Sequence, residues 1–244
     1  MATTFELKPT RQHLGQTRRS LKAEAAAGGS FFNNWKIIER AFKEDRFACA
    51  LIDGRAVGFT VWSGAAPCYR LEIESVRPDQ RGRGIGRRLA EATFDHLRAR
   101  GGAMVDLECQ PRTSESFWRN LGFLDFHPKI GQHIKPDNLY KIIIADVAPL
   151  SDGSCPDREV IELWAGQPFE AKSQRADWTW RVARKPDSPT LALPIVQPCS
   201  GDWRVVWRAG HSVLADDKIK HALKGCYAGD LLFIRDLPPP EGGG

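Results

Sequence analysis

The chain has 244 residues, 42% of them hydrophobic and 27% charged, with a formal net charge of +5. That length and balance suit one large or two small domains of an ordinary globular protein. No apolar run approaches the about 18 residues that span a membrane, and the start, Met1 to Glu6, shows no basic-then-apolar leader pattern.

Six cysteines without CxxC spacing read as reduced thiols, which points to the cytoplasm, and six histidines show no metal-type spacing. Residues 1–150 hold 23 Lys/Arg against 17 Asp/Glu, and the remainder 12 against 13. The excess is smaller than a nucleic-acid footprint, which for a domain has a pI above about 9.

In chain order, Phe5–Lys8 reads as a short strand and Arg11–Ala27 as a helix stopped by Gly28-Gly29. Ser30 is a candidate N-cap for a helix from Phe31 to Lys43, where Phe31, Trp35, Ile38 and Phe42 recur at helical spacing. The apolar runs Phe47–Ile52 and Ala56–Trp62 flank Asp53-Gly54-Arg55, a hairpin signal. A strand Tyr69–Val76 follows, then a glycine-rich turn and a helix to Arg100 ended by Gly101-Gly102. Ala103–Cys109 is a strand, Ser114–Leu121 a short helix, and Leu124–Phe126 and Leu139–Val147 two more strands.

The turn carries the chemistry. Arg81-Gly82-Arg83-Gly84-Ile85-Gly86-Arg87 leads from a strand into an amphipathic helix. Glycines let a ligand approach the backbone, and the first helical turn offers unpaired N–H groups with partial positive charge. Together they describe a pyrophosphate cradle. A Walker loop would need Gly-Lys-Ser/Thr, and here Gly86 precedes Arg87-Arg88. A dinucleotide loop needs Gly-x-Gly-x-x-Gly at the start of a βαβ unit, and this spacing and context differ.

Arg81-x-x-Gly84-x-Gly86 after a strand ending in Val76-x-Pro78 resembles the acyl-CoA loop of the GCN5-related N-acetyltransferase (GNAT) family. Ser116-Phe117-Trp118-Arg119-Asn120-Leu121-Gly122-Phe123 resembles that family's second motif, and the order β-α-α-β-β-β-α-β-α-β-β matches its fold over residues 1–148. The fold class expected is therefore α+β. It comprises a mixed, largely antiparallel sheet flanked by helices, plus a smaller C-terminal α+β or mainly-β domain.

The resemblance implies transfer of an acetyl group from acetyl-CoA, as co-substrate and without a metal, to a primary amine in a ternary complex. The amine would belong to a small molecule, a protein lysine or an N-terminus. Backbone N–H groups of Arg81, Gly82, Arg83, Gly84, Ile85 and Gly86 would hold the pyrophosphate, with Arg83 or Arg87 adding side-chain contacts. Val76 would turn its N–H toward the thioester oxygen. Glu72, nine residues before Arg81, stands where several members carry a basic glutamate, and Glu74 is the alternative on the same strand face. The same alternation, Leu71 and Ile73 against Glu72 and Glu74, also describes a plain half-exposed strand. Trp118 occupies the position of the family's acid tyrosine and Pro111 that of a cofactor-contacting asparagine, which leaves Ser114, Ser116 or a water for the acid.

Residues 149–157 read as a linker, and 158–237 as a small tryptophan-rich domain, with a helix at Glu159–Trp164 and another at Asp216–Leu223. Strands are expected at Trp178–Ala183, Leu191–Val196, Trp203–Trp207 and Leu231–Ile234, and residues 238–244 as a disordered tail. This domain would shape or recruit the acceptor, and a homodimer or a protein partner is also expected to form through it. Two other readings stand beside the enzyme: a non-catalytic acyl-CoA sensor or docking protein, and an acetyltransferase toxin or modifier of aminoacyl-tRNA.

Overall fold

A computed structural model of the protein describes residues 2–26, 28, 31–131, 134–151, 158–171 and 175–239. Strand β1 (Thr3–Glu6) pairs antiparallel with β2 (Phe47–Ile52), and the chain between them forms α1 (Arg11–Ala26) and α2 (Trp35–Lys43). A single 3-10 turn, Phe31–Asn34, precedes α2, so the helix begins later than its apolar spacing suggests. The proposed cap Ser30 lies outside the described residues.

Strand β3 (Arg55–Ala65) returns from β2 through Asp53-Gly54, whose φ angles of 48° and 71° are the left-handed pair that a tight hairpin demands. Next come β4 (Cys68–Val76), α3 (Ile85–Ala99), β5 (Met104–Glu108), α4 (Glu115–Arg119), β6 (Leu124–Asp125) and β7 (Asn138–Ile142). The sheet order is β1-β2-β3-β4-β5-β7-β6, and β4 with β5 is its parallel pair, connected by the crossover helix α3.

Each face of this sheet is closed by its own apolar cluster. Leu21 of α1 and Ile38 of α2 meet Phe47, Phe59, Val61 and Ile73 on one face. Leu89, Phe94 and Leu97 of α3 meet Trp62, Leu71, Val105 and Leu107 on the other, joined by Trp118 and Phe123. Each such side chain contributes about 1.5–3 kcal/mol when fully buried.

One irregularity positions the site. Trp62 pairs with Leu71 but Val61 pairs with Ile73, so Glu72 is an extra residue, a β-bulge. The bulge resets the alternation of faces. Leu71 packs on the α3 side, and Ile73, two residues on, packs on the α1–α2 side. Glu74 accordingly shares a face with Leu71 and Thr60, not with Glu72 as the uninterrupted period predicts.

The chain divides into two compact units, one of residues 1–124 with 137–143 and the other of 125–136 with 144–244. The boundary thus falls earlier than residue 148, and the segment 125–136 belongs with the second unit. Two antiparallel sheets build that unit. One has the order β12-β11-β8-β9, from β8 (Glu159–Trp164), β9 (Trp178–Arg181), β11 (Arg204–Ala209) and β12 (Ser212–Lys218). The other is β10-β14-β13, from β10 (Thr190–Pro198), β13 (Tyr227–Ala228) and β14 (Leu231–Asp236).

The expected helix at Glu159–Trp164 is strand β8. It is buried on both faces through Val160, Ile161, Leu163 and Trp164, a pattern whose periodicity does not tell a strand from a helix. The expected helix at Asp216–Leu223 is helical over Ile219–Ala222 (α5), while Asp216–Lys218 are the end of β12, held by β11 pairing and by Arg204 on Asp216. Of the expected linker, residues 152–157 lie outside the description, but Ser151 N–H donates to Thr179 O and Leu150 bridges Trp180. Of the expected tail, residues 240–244 lie outside it as well.

His127 sets its ring edge-on to Trp178 and Trp203, which stack at 5.6 Å, while Trp203 Nε1 donates to Lys129 O. Desolvation between the indoles lowers the His127 pKa.

Candidate active site

Strands β4 and β5 stay paired only from Cys68↔Met104 to Leu71↔Leu107. Beyond that register, at the Glu72 bulge, the two strands part. The gap is a cleft of about 310 Å³ whose wall includes Glu72, Glu74, Val76, Arg81, Phe117 and Trp118.

Strand geometry fixes what the backbone offers there. Arg77 N–H donates to Val57 O (2.8 Å), which makes Gly58↔Val76 and Thr60↔Glu74 non-hydrogen-bonded pairs of the β3–β4 ladder. The N–H groups of Val76 and Glu74 therefore point away from β3, into the side that β5 has left. Each is a donor available to an acceptor lying in the gap.

The two glutamates occupy different environments. Glu72 is exposed on the bulge and accepts a short hydrogen bond from Ser63 Oγ (2.5 Å). Glu74 is turned inward, and its Oε2 is sealed from solvent without a hydrogen-bond partner. Burial alone holds its carboxyl well above the usual carboxylate range. Its cross-strand neighbour Thr60 is likewise buried with an unpartnered Oγ1. Desolvation opposes the charged form that a base needs, so this environment weighs against the alternative base role.

The glycine loop divides its labour. Gly82 and Gly84 take φ angles of 76° and 71°, and Gly84 is the left-handed residue that turns the chain into Ile85, the first residue of α3. Gly86 serves packing instead. A Cβ there would stand 3.2 Å from Glu74 Oε1 and 3.4 Å from Phe117 Cζ.

Arg81 is engaged with the scaffold, its Nε donating to Val76 O (2.9 Å) and its Nη2 lying 3.9 Å from Glu24. Arg87 ties α3 to the end of α4 through Asn120 O (3.2 Å) and faces Glu91. Arg83 lines a separate hollow of about 740 Å³ with Arg55, Arg77 and Arg88. Of the two arginines considered for phosphate contact, Arg87 is thus engaged by Asn120 and Glu91, whereas Arg83 faces this hollow.

Trp118 is core, 8% exposed and edge-on to Phe117 and Phe123. Ser114 Oγ donates to Pro111 O (2.8 Å). Phe31, Ser75, Glu108 and Gln110 also line the cleft and were not assigned to the site from sequence. Their placement depends on the bulge and on where β5 ends, neither of which has a sequence signature. Among the described residues no group of three or more His, Cys, Asp or Glu could hold a metal ion, and no helix is long and apolar enough to cross a membrane.

The model of the acetyltransferase (GNAT) family matches residues 16–123. No curated protein matches the chain significantly. Among solved structures, Ard1 from Thermoplasma volcanium is 18% identical, covering 59% of this chain and 100% of that one, with a TM-score of 0.45. The PaiA N-acetyltransferase from Thermoplasma acidophilum, in complex with coenzyme A, is 19% identical over 58% of this chain and 99% of that one, with a TM-score of 0.46. A GNAT family acetyltransferase from Brucella melitensis, in complex with acetyl-CoA, is 20% identical over 62% and 94%, with a TM-score of 0.45.

Proposed function

Residues 16–123 form a domain of the acetyltransferase (GNAT) family, and on that premise we propose that the protein moves an acetyl group from acetyl-CoA to a primary amine by direct attack in a ternary complex. The observation that carries this reading is the parting of β4 and β5 at a bulge that bears Glu72, with the N–H groups of Glu74 and Val76 turned into the gap.

The pantetheine arm lies in that gap, and the pyrophosphate sits on the Arg81–Gly86 turn at the N-terminus of α3, with Arg83 beside it. The thioester carbonyl accepts from a backbone N–H of β4, which stabilises the oxyanion as the amine attacks. Glu72, exposed at the cleft wall and oriented by Ser63, takes the ammonium proton. The acceptor is a small amine or a protein lysine or N-terminus.

A thermal melt with acetyl-CoA and CoA tests the site. Ligand at one hundred times its Kd adds about 2.7 kcal/mol of stability, and an unmoved Tm would refute the reading. Thiol release from acetyl-CoA with a pool of primary amines tests turnover, and Glu72→Gln should lower kcat about 100-fold. Full kcat in that variant across pH would remove Glu72 from the base role. The absence of a phenol at Trp118 favours a second reading, CoA binding without turnover. A Tm shift with no thiol release under any amine would select it.

A further inference from the structure

Trp118 leaves the departing sulfur without the phenol that could protonate it. An indole N–H is a donor too weakly acidic to give up its proton, and Trp118 is packed into the core. Ser114, also at the cleft, already donates its hydroxyl proton to Pro111 O. Among the other side chains of the cleft wall, Glu74 is the carboxyl with a buried, unpartnered oxygen.

Resting on the acyl-transfer reading above, we propose that Glu74 is the proton donor of this cleft, its carboxyl group protonating the sulfur as the acyl group leaves. Three observations place it there. Glu74 lines the same cleft as Glu72, on the wall closed by Phe117 and Trp118 of α4. The bulge at Glu72 turns it to the α3 face, so the two carboxyls approach the gap from different sides. Its Oε2 is sealed and unpartnered beside the equally unpartnered Thr60 Oγ1, although a buried polar group normally finds a partner within the protein.

The groups packed on Glu74 are uncharged: Thr60 from β3, Gly86 from α3 and Phe117 from α4. The charged members of the cleft wall are Glu72, Arg81 and Glu108. Desolvation is the sole cause of its upward shift, so the site favours the proton-bearing form of the carboxyl.

The step balances as follows. The amine nitrogen forms a bond to the acyl carbon, and the C–S bond breaks with its electron pair passing to sulfur. Glu72 takes one proton from the ammonium before attack and passes it to solvent, then takes the second from the nitrogen of the tetrahedral adduct. Sulfur takes the Glu74 proton, and the two carboxyls return to their starting states through solvent, with one proton released overall.

Infrared difference spectroscopy on the full chain at neutral pH tests this. The probes are CoA and desulfo-CoA, which differ only in the sulfur. A protonated-carboxyl band should shift with CoA, stay still with desulfo-CoA, and vanish in Glu74→Gln. If the band is absent, or both ligands move it equally, the proposal is overturned while the acyl-CoA site stands. If neither ligand raises the Tm, the site reading fails and this proposal with it.

In turnover, Glu74→Gln should lower kcat at least about tenfold with the KM for acetyl-CoA unchanged. It should also abolish the fall of kcat at high pH, which a purely structural role would not do. Wild-type kcat and pH profile in that variant would likewise overturn the proposal. The comparison of CoA with desulfo-CoA on the wild type needs no variant and holds should Glu74→Gln fail to fold.

Discussion

Carboxylates of the second unit and Glu74 of the first are buried to opposite ends. In the second unit the part-buried Glu159 and Glu162 are clamped, and so is the exposed Asp216. Glu159 accepts from both Nη groups of Arg184 and from Trp207 Nε1 (2.7 Å). Arg208 holds Glu162 at 2.9 Å, and Arg204 grips both oxygens of Asp216 at 2.7 Å each. Hydrogen bonding to Asp216 raises the Arg204 pKa, and the same guanidinium lies over the Trp164 ring at 4.7 Å.

Glu74 has no such clamp, and burial favours its neutral form over the charged one. The difference separates a fastening from a reagent. A paired carboxylate is fixed in place and in charge, whereas an unpaired one keeps a proton it can surrender.

Breaking a clamp gives the largest expected effect. Arg184→Ala strands Glu159 in a site where its side chain is 13% exposed, and should cost about 3 kcal/mol of unfolding free energy in a urea titration. A loss below about 1 kcal/mol would mean that the pair is not a fastening.

Glu74→Leu should do the reverse. A raised folded-state pKa gives stability that is fully present below the unfolded value near 4.5 and is lost as pH rises toward the folded value. Wild-type stability should therefore fall from pH 5 to pH 8 relative to the leucine variant. The gap at pH 8 should reach roughly 1–3 kcal/mol, the scale of an unsatisfied buried polar group. Parallel curves would show that Glu74 finds a partner in solution.

Gly86→Ala presses a methyl on Glu74 and Phe117 and should cost about 1 kcal/mol, read as a lowered urea midpoint. Glu39→Ala, which breaks an exposed pair with Lys43 on α2, serves as the control. It should change stability by less than about 0.5 kcal/mol, and a larger effect would undo the distinction between buried and surface pairs.

The two motifs were legible because they are local. The glycine turn specifies its own φ angles, and Leu121-Gly122-Phe123 ends α4 with Gly122 at φ 87°. The element order of the first unit follows from apolar period and turn chemistry for the same reason. The Glu72 bulge was not legible. It exists only as a register between Trp62, Val61 and their partners on β4, and it reversed the face assigned to Glu74. In the second unit, β8 hid as a helix because its apolar residues are buried on both faces. Pairing with β11 drew Asp216–Lys218 into a strand against the helical reading.

The membership of segment 125–136 has a consequence for any attempt to take the protein apart. In modular terms the second unit is interleaved with the first, with three joints on the chain rather than one. A deletion that begins at residue 148 removes Trp178 and Trp203 but leaves behind His127 and Lys129, the ring and the carbonyl they contact. Exchange of this unit between proteins by recombination would likewise have to carry the loop as well as the tail.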